Sequence, residues 1–223
     1  MDTILLICLS IIVLILSFAI WIGVFKEVTI KEELFHGGTF IYKDIKCHIS
    51  QIGQAFNSMF RDQEKYKEHQ VRKFTFPALG IYYDDPHNLV DPTQNRSSVG
   101  FLVQYKDDKV VEFYQNLGYK IKVLPQTKSI YGDFPCKLRL SCMIGAQKFY
   151  PASLKYMGQN KERLGSQMNE LSGSAELIQD GKIKYYFPLE NKKDFYLTPD
   201  PRPEQKNLYK YKDQIEKSSK KNQ

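Results

Sequence analysis

The chain has 223 residues, of which 42% are hydrophobic and 26% charged, with a formal net charge of +7. The length suits one domain of ordinary size with appendages, and the composition excludes a chain disordered throughout. The apolar residues crowd at one end, which excludes a fully soluble globule and a multi-pass membrane protein. Four cysteines exclude a disulfide scaffold.

Residues 4–25, from Ile4 to Phe25, carry no charge. As a helix they span about 33 Å, enough for a hydrocarbon core of about 30 Å. Trp21 falls where an indole suits the headgroup level. A cleaved signal peptide requires a basic start and a shorter apolar core, and Met1-Asp2-Thr3 has no basic residue. Lys26, Lys31, Lys43 and Lys46 follow the segment, whereas no Lys or Arg precedes it. This asymmetry predicts a lumenal N-terminus and a cytosolic main domain. With Cys8 in the membrane, Cys47, Cys136 and Cys142 form an odd set without framework spacing, which fits a reducing compartment. Asn95-Arg96-Ser97 points the other way, since this glycosylation sequon is usable only in a lumenal or secreted domain.

Beyond the anchor (1–26), a linker (27–38) is predicted to end at the turn His36-Gly37-Gly38, before a domain at 39–199. Residues 40–45 have strand composition. Ile49, Ile52, Ala55, Phe56, Met59 and Phe60 recur at helical spacing. Residues 72–83 read as a strand with Pro77 at an edge or bulge, 84–88 as a turn and 98–105 as a strand. A short helix over 110–117, capped by Gly118, precedes a strand at 119–124. The order then repeats. A strand at 128–134 leads to a helix from Leu138, with a break or restart at Pro151. Asp180-Gly181 then joins a hairpin over 175–189. The predicted class is α+β, a transmembrane helix followed by duplicated strand–helix–strand–strand units. Residues 200–223 read as a short basic tail.

The stretch Phe76-Pro77-Ala78-Leu79-Gly80-Ile81-Tyr82-Tyr83-Asp84-Asp85-Pro86-His87 resembles the testis-expressed-264 family, ER membrane proteins with a cytosolic GyrI-like domain. Ser98-Val99-Gly100, residues 113–120 (FYQNLGYK) and residues 193–197 (KDFYL) match in the same order. The resemblance covers roughly residues 1–200. It implies two halves about a pseudo-two-fold with a cleft between them, and residence in the ER membrane. It also implies work as an ER-phagy (reticulophagy) receptor that binds autophagy ubiquitin-like proteins, and recruitment of an AAA unfoldase. The chain departs from the family at the tail. Three residues after Phe195, Tyr196, Tyr209 and Tyr211 stand Thr198, Pro199, Lys212 and Gln214, so no aromatic-x-x-aliphatic motif is evident there. Tyr186-Phe187-Pro188-Leu189 fits the spacing but lies in a predicted core strand.

GyrI-like clefts in bacterial relatives bind flat or cationic small molecules, which needs aromatic walls and a buried carboxylate. Tyr83, Tyr131, Phe134, Tyr185 and Phe187 are the candidate cleft-lining residues, and core packing is the rival reading. The resemblance places the acid four residues before Pro188, where this chain has Lys184. Asp84, Asp85, Pro86 and His87 read as a turn rather than a metal or acid–base site. Lys206, Lys210, Lys212, Lys217, Lys220 and Lys221 suit an anionic leaflet better than direct nucleic-acid binding. No cofactor or metal motif is present. The function expected is a non-catalytic, ER-anchored adaptor that binds a partner or ligand. The alternative is a small-molecule sensor or hydrolase using the cleft.

Overall fold

A computed structural model describes residues 2–68, 76–104, 108–164 and 173–205. Helix α1 (Asp2–Trp21) is long and apolar enough to cross a membrane, and its Thr3–Trp21 stretch is not buried by the rest of the chain. It ends in a Schellman turn: Gly23 takes φ +87°, Gly23 N–H donates to Ile20 O and Val24 N–H to Ala19 O.

Eight antiparallel strands form one sheet. They are β1 (Lys31–Phe35), β2 (Gly38–Lys46), β3 (Ala78–Tyr82), β4 (Arg96–Val103), β5 (Lys120–Leu124), β6 (Thr127–Pro135), β7 (Ser174–Gln179) and β8 (Lys182–Pro188). The spatial order β1-β6-β8-β7-β3-β4-β2-β5 is a palindrome of two units. The first unit is β2, α2 (Ile52–Glu68), β3 and β4. The second is β6, α4 (Arg139–Gln159), β7 and β8. They meet where β3 pairs with β7, from Ala78↔Ile178 to Tyr82↔Ser174. This is the duplicated strand–helix–strand–strand arrangement expected from the order of elements. Helix α3 (Asp108–Asn116) leads into β5, and α5 (Lys161–Leu164) follows α4.

Both long helices lie on one face of the sheet. Ile52, Met59 and Tyr66 of α2 pack with Ile41, Val99 and Phe101, and Phe149 of α4 packs with Phe134, Ile183 and Tyr185. The opposite face buries Phe40, Tyr42, Leu79, Ile81, Leu102, Leu177 and Tyr186 beneath the C-terminal segment through Phe195, Tyr196 and Leu197. Within the first unit β2 and β4 approach closely at Gly100, where any Cβ would collide with the Ile41 carbonyl.

Four expectations change. Residues 27–38 do not form a free linker. β1 pairs with β6 from Lys31↔Tyr131 to Phe35↔Thr127, and Val28 and Ile30 pack beside Phe149. β1 is polar (KEELF), which hides an edge strand from a hydrophobic pattern. Pro151 does not break α4; its ring sits on the exposed side of the helix, where water can serve the carbonyl left without a partner. Residues 200–205 are not free tail, because Val90 N–H donates to Glu204 O and Leu89 bridges to Gln205. Cys136 and Cys142 are disulfide-bonded, against the expectation of free thiols, since the β6–α4 corner brings their Cα atoms to 5.0 Å. The Asp180-Gly181 hairpin is as expected, with both residues at positive φ, 52° and 71°.

Candidate functional site

The pleat divides the five predicted cleft residues between two faces. Tyr83 and Tyr131 belong to the face beneath the C-terminal segment. Phe134, Tyr185 and Phe187 lie on the other face, under α4. Tyr185 and Tyr186 are neighbours in β8 and point to opposite sides. A single cleft lined by all five is therefore not formed.

The face with Tyr83 is closed by the chain itself, which lies over it as a strap. Arg96 is 1% exposed. Its Nη2 donates to Asp84 Oδ1 at 2.7 Å and its Nε to Asp84 Oδ2 at 2.9 Å. Nη1 reaches over to Tyr196 Oη (2.8 Å) and the Asp200 carbonyl (2.6 Å). The strap is thus bolted to β4 through one guanidinium, whose plane also stands near the Tyr83 and Tyr196 rings. Phe195 is fully buried against Phe35, and Lys122 pairs with Asp194 at 2.8 Å.

These contacts give the Asp84-Asp85-Pro86-His87 turn a structural role. Asp84 neutralises Arg96. Asp85 accepts from His87 N–H (3.0 Å) and Asn88 Nδ2 (2.7 Å), a local turn lock. Among the described residues no group of three or more His, Cys, Asp or Glu gathers as metal ligands. The sequon is also interior, with Asn95, Arg96 and Ser97 only 1–2% exposed. The lysines from Lys206 to Lys221 lie outside the described residues.

On the helix face, α2 stands over β4 and α4 over β6 and β8, which leaves the middle strands β3 and β7 between them. The row across the sheet there reads Gly80, Glu176, Tyr185. Glu176 accepts from Tyr150 Oη of α4 at 2.6 Å, and Tyr150 Oη also lies 3.3 Å from Ser174 Oγ. Tyr82 folds back over Gly80, where any Cβ would meet its Oη at 2.8 Å. Among the described residues no cation pairs with Glu176. Burial pushes its carboxyl up to about 7, and the Tyr150 hydrogen bond only partly offsets this. Burial likewise pushes the Tyr82, Tyr150 and Tyr185 phenols well up, with Glu176 adding to the effect. Glu176, Tyr82 and Tyr150 keep partial solvent access. On the α2 side the exposed Phe60 lines an open depression with Gln54, Asn57 and Arg61.

The arrangement is a proton-holding carboxyl among tyrosines on the strands between α2 and α4, and the open groove at Phe60 lies on α2. The carboxyl can accept a hydrogen bond from a neutral donor, or ionise against a cation that brings its own charge. The position expected for the acid, Lys184, lies opposite Asp133 in the β6–β8 register. It is one strand away from Glu176 and on the other face. The missed signal was Ser174-Ala175-Glu176-Leu177-Ile178, a charged residue in a strand with both neighbours buried.

No family model matches the chain, and no curated protein matches it. Among solved structures it is similar to SAV2435 bound to tetraphenylphosphonium, at 10% identity and a TM-score of 0.43, covering 73% of this chain and 94% of that one. It is similar to the EcmrR C-terminal domain, at 8% identity and 0.45, covering 72% and 96%. A hydrolase encoded by lin2189 from Listeria innocua is similar at 10% identity and 0.42, covering 72% and 91%.

Proposed function

We propose that this chain is a membrane-anchored, non-catalytic binding domain that takes a small organic cation against Glu176, on the strands between α2 and α4. One observation carries the reading: a buried carboxyl with no cation paired to it among the described residues, beside Tyr82, Tyr150 and Tyr185 on the partly accessible side of the sheet. The raised phenols favour binding over hydrolysis, because a phenol held protonated is a poor nucleophile at neutral pH.

The test is equilibrium dialysis of the full chain in lipid nanodiscs with tetraphenylphosphonium as probe and empty nanodiscs as blank. Saturable binding that weakens at least about tenfold in Glu176→Gln is expected. Equal binding by the variant would sink the proposal. Binding must also tighten as pH rises through about 7, because the cation selects the ionised carboxylate.

For location, the ER membrane rests on the resemblance alone; the flanking lysines support a cytosolic domain, whereas the Cys136–Cys142 disulfide supports a lumenal one. Protease protection on sealed microsomes decides between them. The finer reading, an ER-phagy receptor that recruits autophagy ubiquitin-like proteins or an AAA unfoldase, rests on the resemblance alone. The spacing match nearest the tail, Tyr186 to Leu189, starts in β8, which is paired on both edges by β6 and β7 and cannot accept a partner strand. Proximity labelling from the C-terminus during starvation tests it, and failure to recover such proteins would remove it.

A further inference from the structure

The anchor joins the domain without a spacer. Gly23, in the turn that ends α1, lies on the Phe134 ring, where any Cβ would stand 2.9 Å from Cζ. Ile22 is buried there. Lys148 Nζ of α4 then takes the carbonyls of Val24 (2.6 Å) and Lys26 (2.7 Å). Val28 and Ile30 continue directly into the packing around Phe149. Gly23 is two residues beyond Trp21, about 3 Å along a helix axis. With Trp21 at headgroup depth, the corner formed by the end of β6 and the start of α4 stands at that depth too.

Exposed apolar side chains gather at this corner. Leu138, Leu140 and Met143 are 44%, 47% and 53% exposed. Ile49, 45% exposed, is brought to them by Arg139, whose Nη2 donates to Ser50 O at 2.8 Å. Elsewhere in the described domain, outside the groove, the large exposed apolar residues are Leu34, Val90 and Val123, on separate elements. Lys26, Lys137 and Arg139 rim the cluster; the acids nearby are Glu27, Asp180 on the adjoining hairpin, and Asp133, which Lys182 already pairs at 3.1 Å.

We propose that this corner docks on the same bilayer that holds α1. Leu138, Leu140 and Met143 enter the boundary between headgroups and acyl chains, and Lys26, Lys137 and Arg139 meet anionic headgroups. The proposal rests on α1 being a membrane helix. It fixes the orientation of the domain and holds for either side of the membrane.

The test uses the full chain in nanodiscs of phosphatidylcholine with about 30% phosphatidylserine. An environment-sensitive dye is placed on one thiol at a time: Cys47 is replaced by Ser for labelling at Cys8, and both Cys8 and Cys47 for the introduced thiols. The native Cys8 within α1 reports on the anchor, Met143→Cys on the corner, and Val123→Cys on the far edge strand. Lipids spin-labelled high on the acyl chain should remove about half of the emission at position 143 and leave position 123 unchanged, given an entry of about 5–10 Å. Omitting phosphatidylserine should weaken quenching at 143. Quenching at Cys8 with none at 143 would overturn the docking while leaving the anchor intact. No quenching at Cys8 would overturn the anchor itself.

Discussion

On the strap face, Asp84 meets the Arg96 guanidinium at 2.7 and 2.9 Å, and the same cation binds Tyr196 and the Asp200 carbonyl. On the helix face, Glu176 meets the phenol of Tyr150 at 2.6 Å and no cation among the described residues. Both carboxyls lie among tyrosines, Glu176 within the middle strand β7 and Asp84 just beyond the end of β3. The first is neutralised internally and closes its face with the chain's own Phe195 and Tyr196. The second resolves its burial by holding a proton. A buried acid with its own counter-ion is architecture, whereas one without it is open to an external charge.

The largest test of this contrast removes the internal pairing. Asp84→Asn leaves Arg96 charged, buried and half-partnered, and should cost about 3–5 kcal/mol in denaturant unfolding. Arg96→Met with Asp84→Leu should recover most of that loss if only the ion pair matters. The aromatic members of the two faces should differ next. Phe195→Ala should cost about 3 kcal/mol through the cavity it leaves, while Phe60→Ala, 39% exposed beside the groove, should cost under about 1 kcal/mol. Equal losses would mean that the groove side is as closed as the strap side.

The pH response separates the faces further. Glu176 titrates near 7 when folded against an ordinary value of 4.5, so the folded state holds the extra proton. Stability should therefore fall as pH rises from about 4.5 to about 7, by at most about 3 kcal/mol. Glu176→Gln should flatten that slope and be the more stable protein at pH 8. The smallest effect belongs to Glu32, held down at about 2 by hydrogen bonds from Arg163 and Lys128 despite opposing burial, and also bonded by Tyr156. Its contribution is present above about 4.5 and lost as pH falls toward 2. Because Arg163 is half exposed, Arg163→Ala should lower stability only slightly at pH 7, and the difference from the parent should shrink as pH falls toward 2.

The element order was legible because period and turn chemistry agree along most of the chain. Ile49 to Phe60 carries a helical stripe, and Asp180-Gly181 sits between two apolar runs. β1 was not legible, since its polar residues gain their strand character only from pairing with β6. The face on which each aromatic candidate lies was not legible, because alternation decides the face only when the register is known. Glu176 was passed over for the same reason. Its isolation is a property of β3 and α4, distant in sequence, rather than of its neighbours. The Asp84–Arg96 pair spans twelve residues and the Arg96–Tyr196 bond a hundred, separations that no local pattern reports.

The buried sequon has a consequence for timing. Asn95, Arg96 and Ser97 enter the interior as β4 pairs with β2 and β3, so a sugar can be attached at Asn95 only before those pairings form. A glycan there would obstruct the Asp84–Arg96 bolt and the strap above it. Glycosylated molecules would therefore be those that reached the modifying enzyme before folding, and their fraction would measure the speed of folding against the speed of translocation.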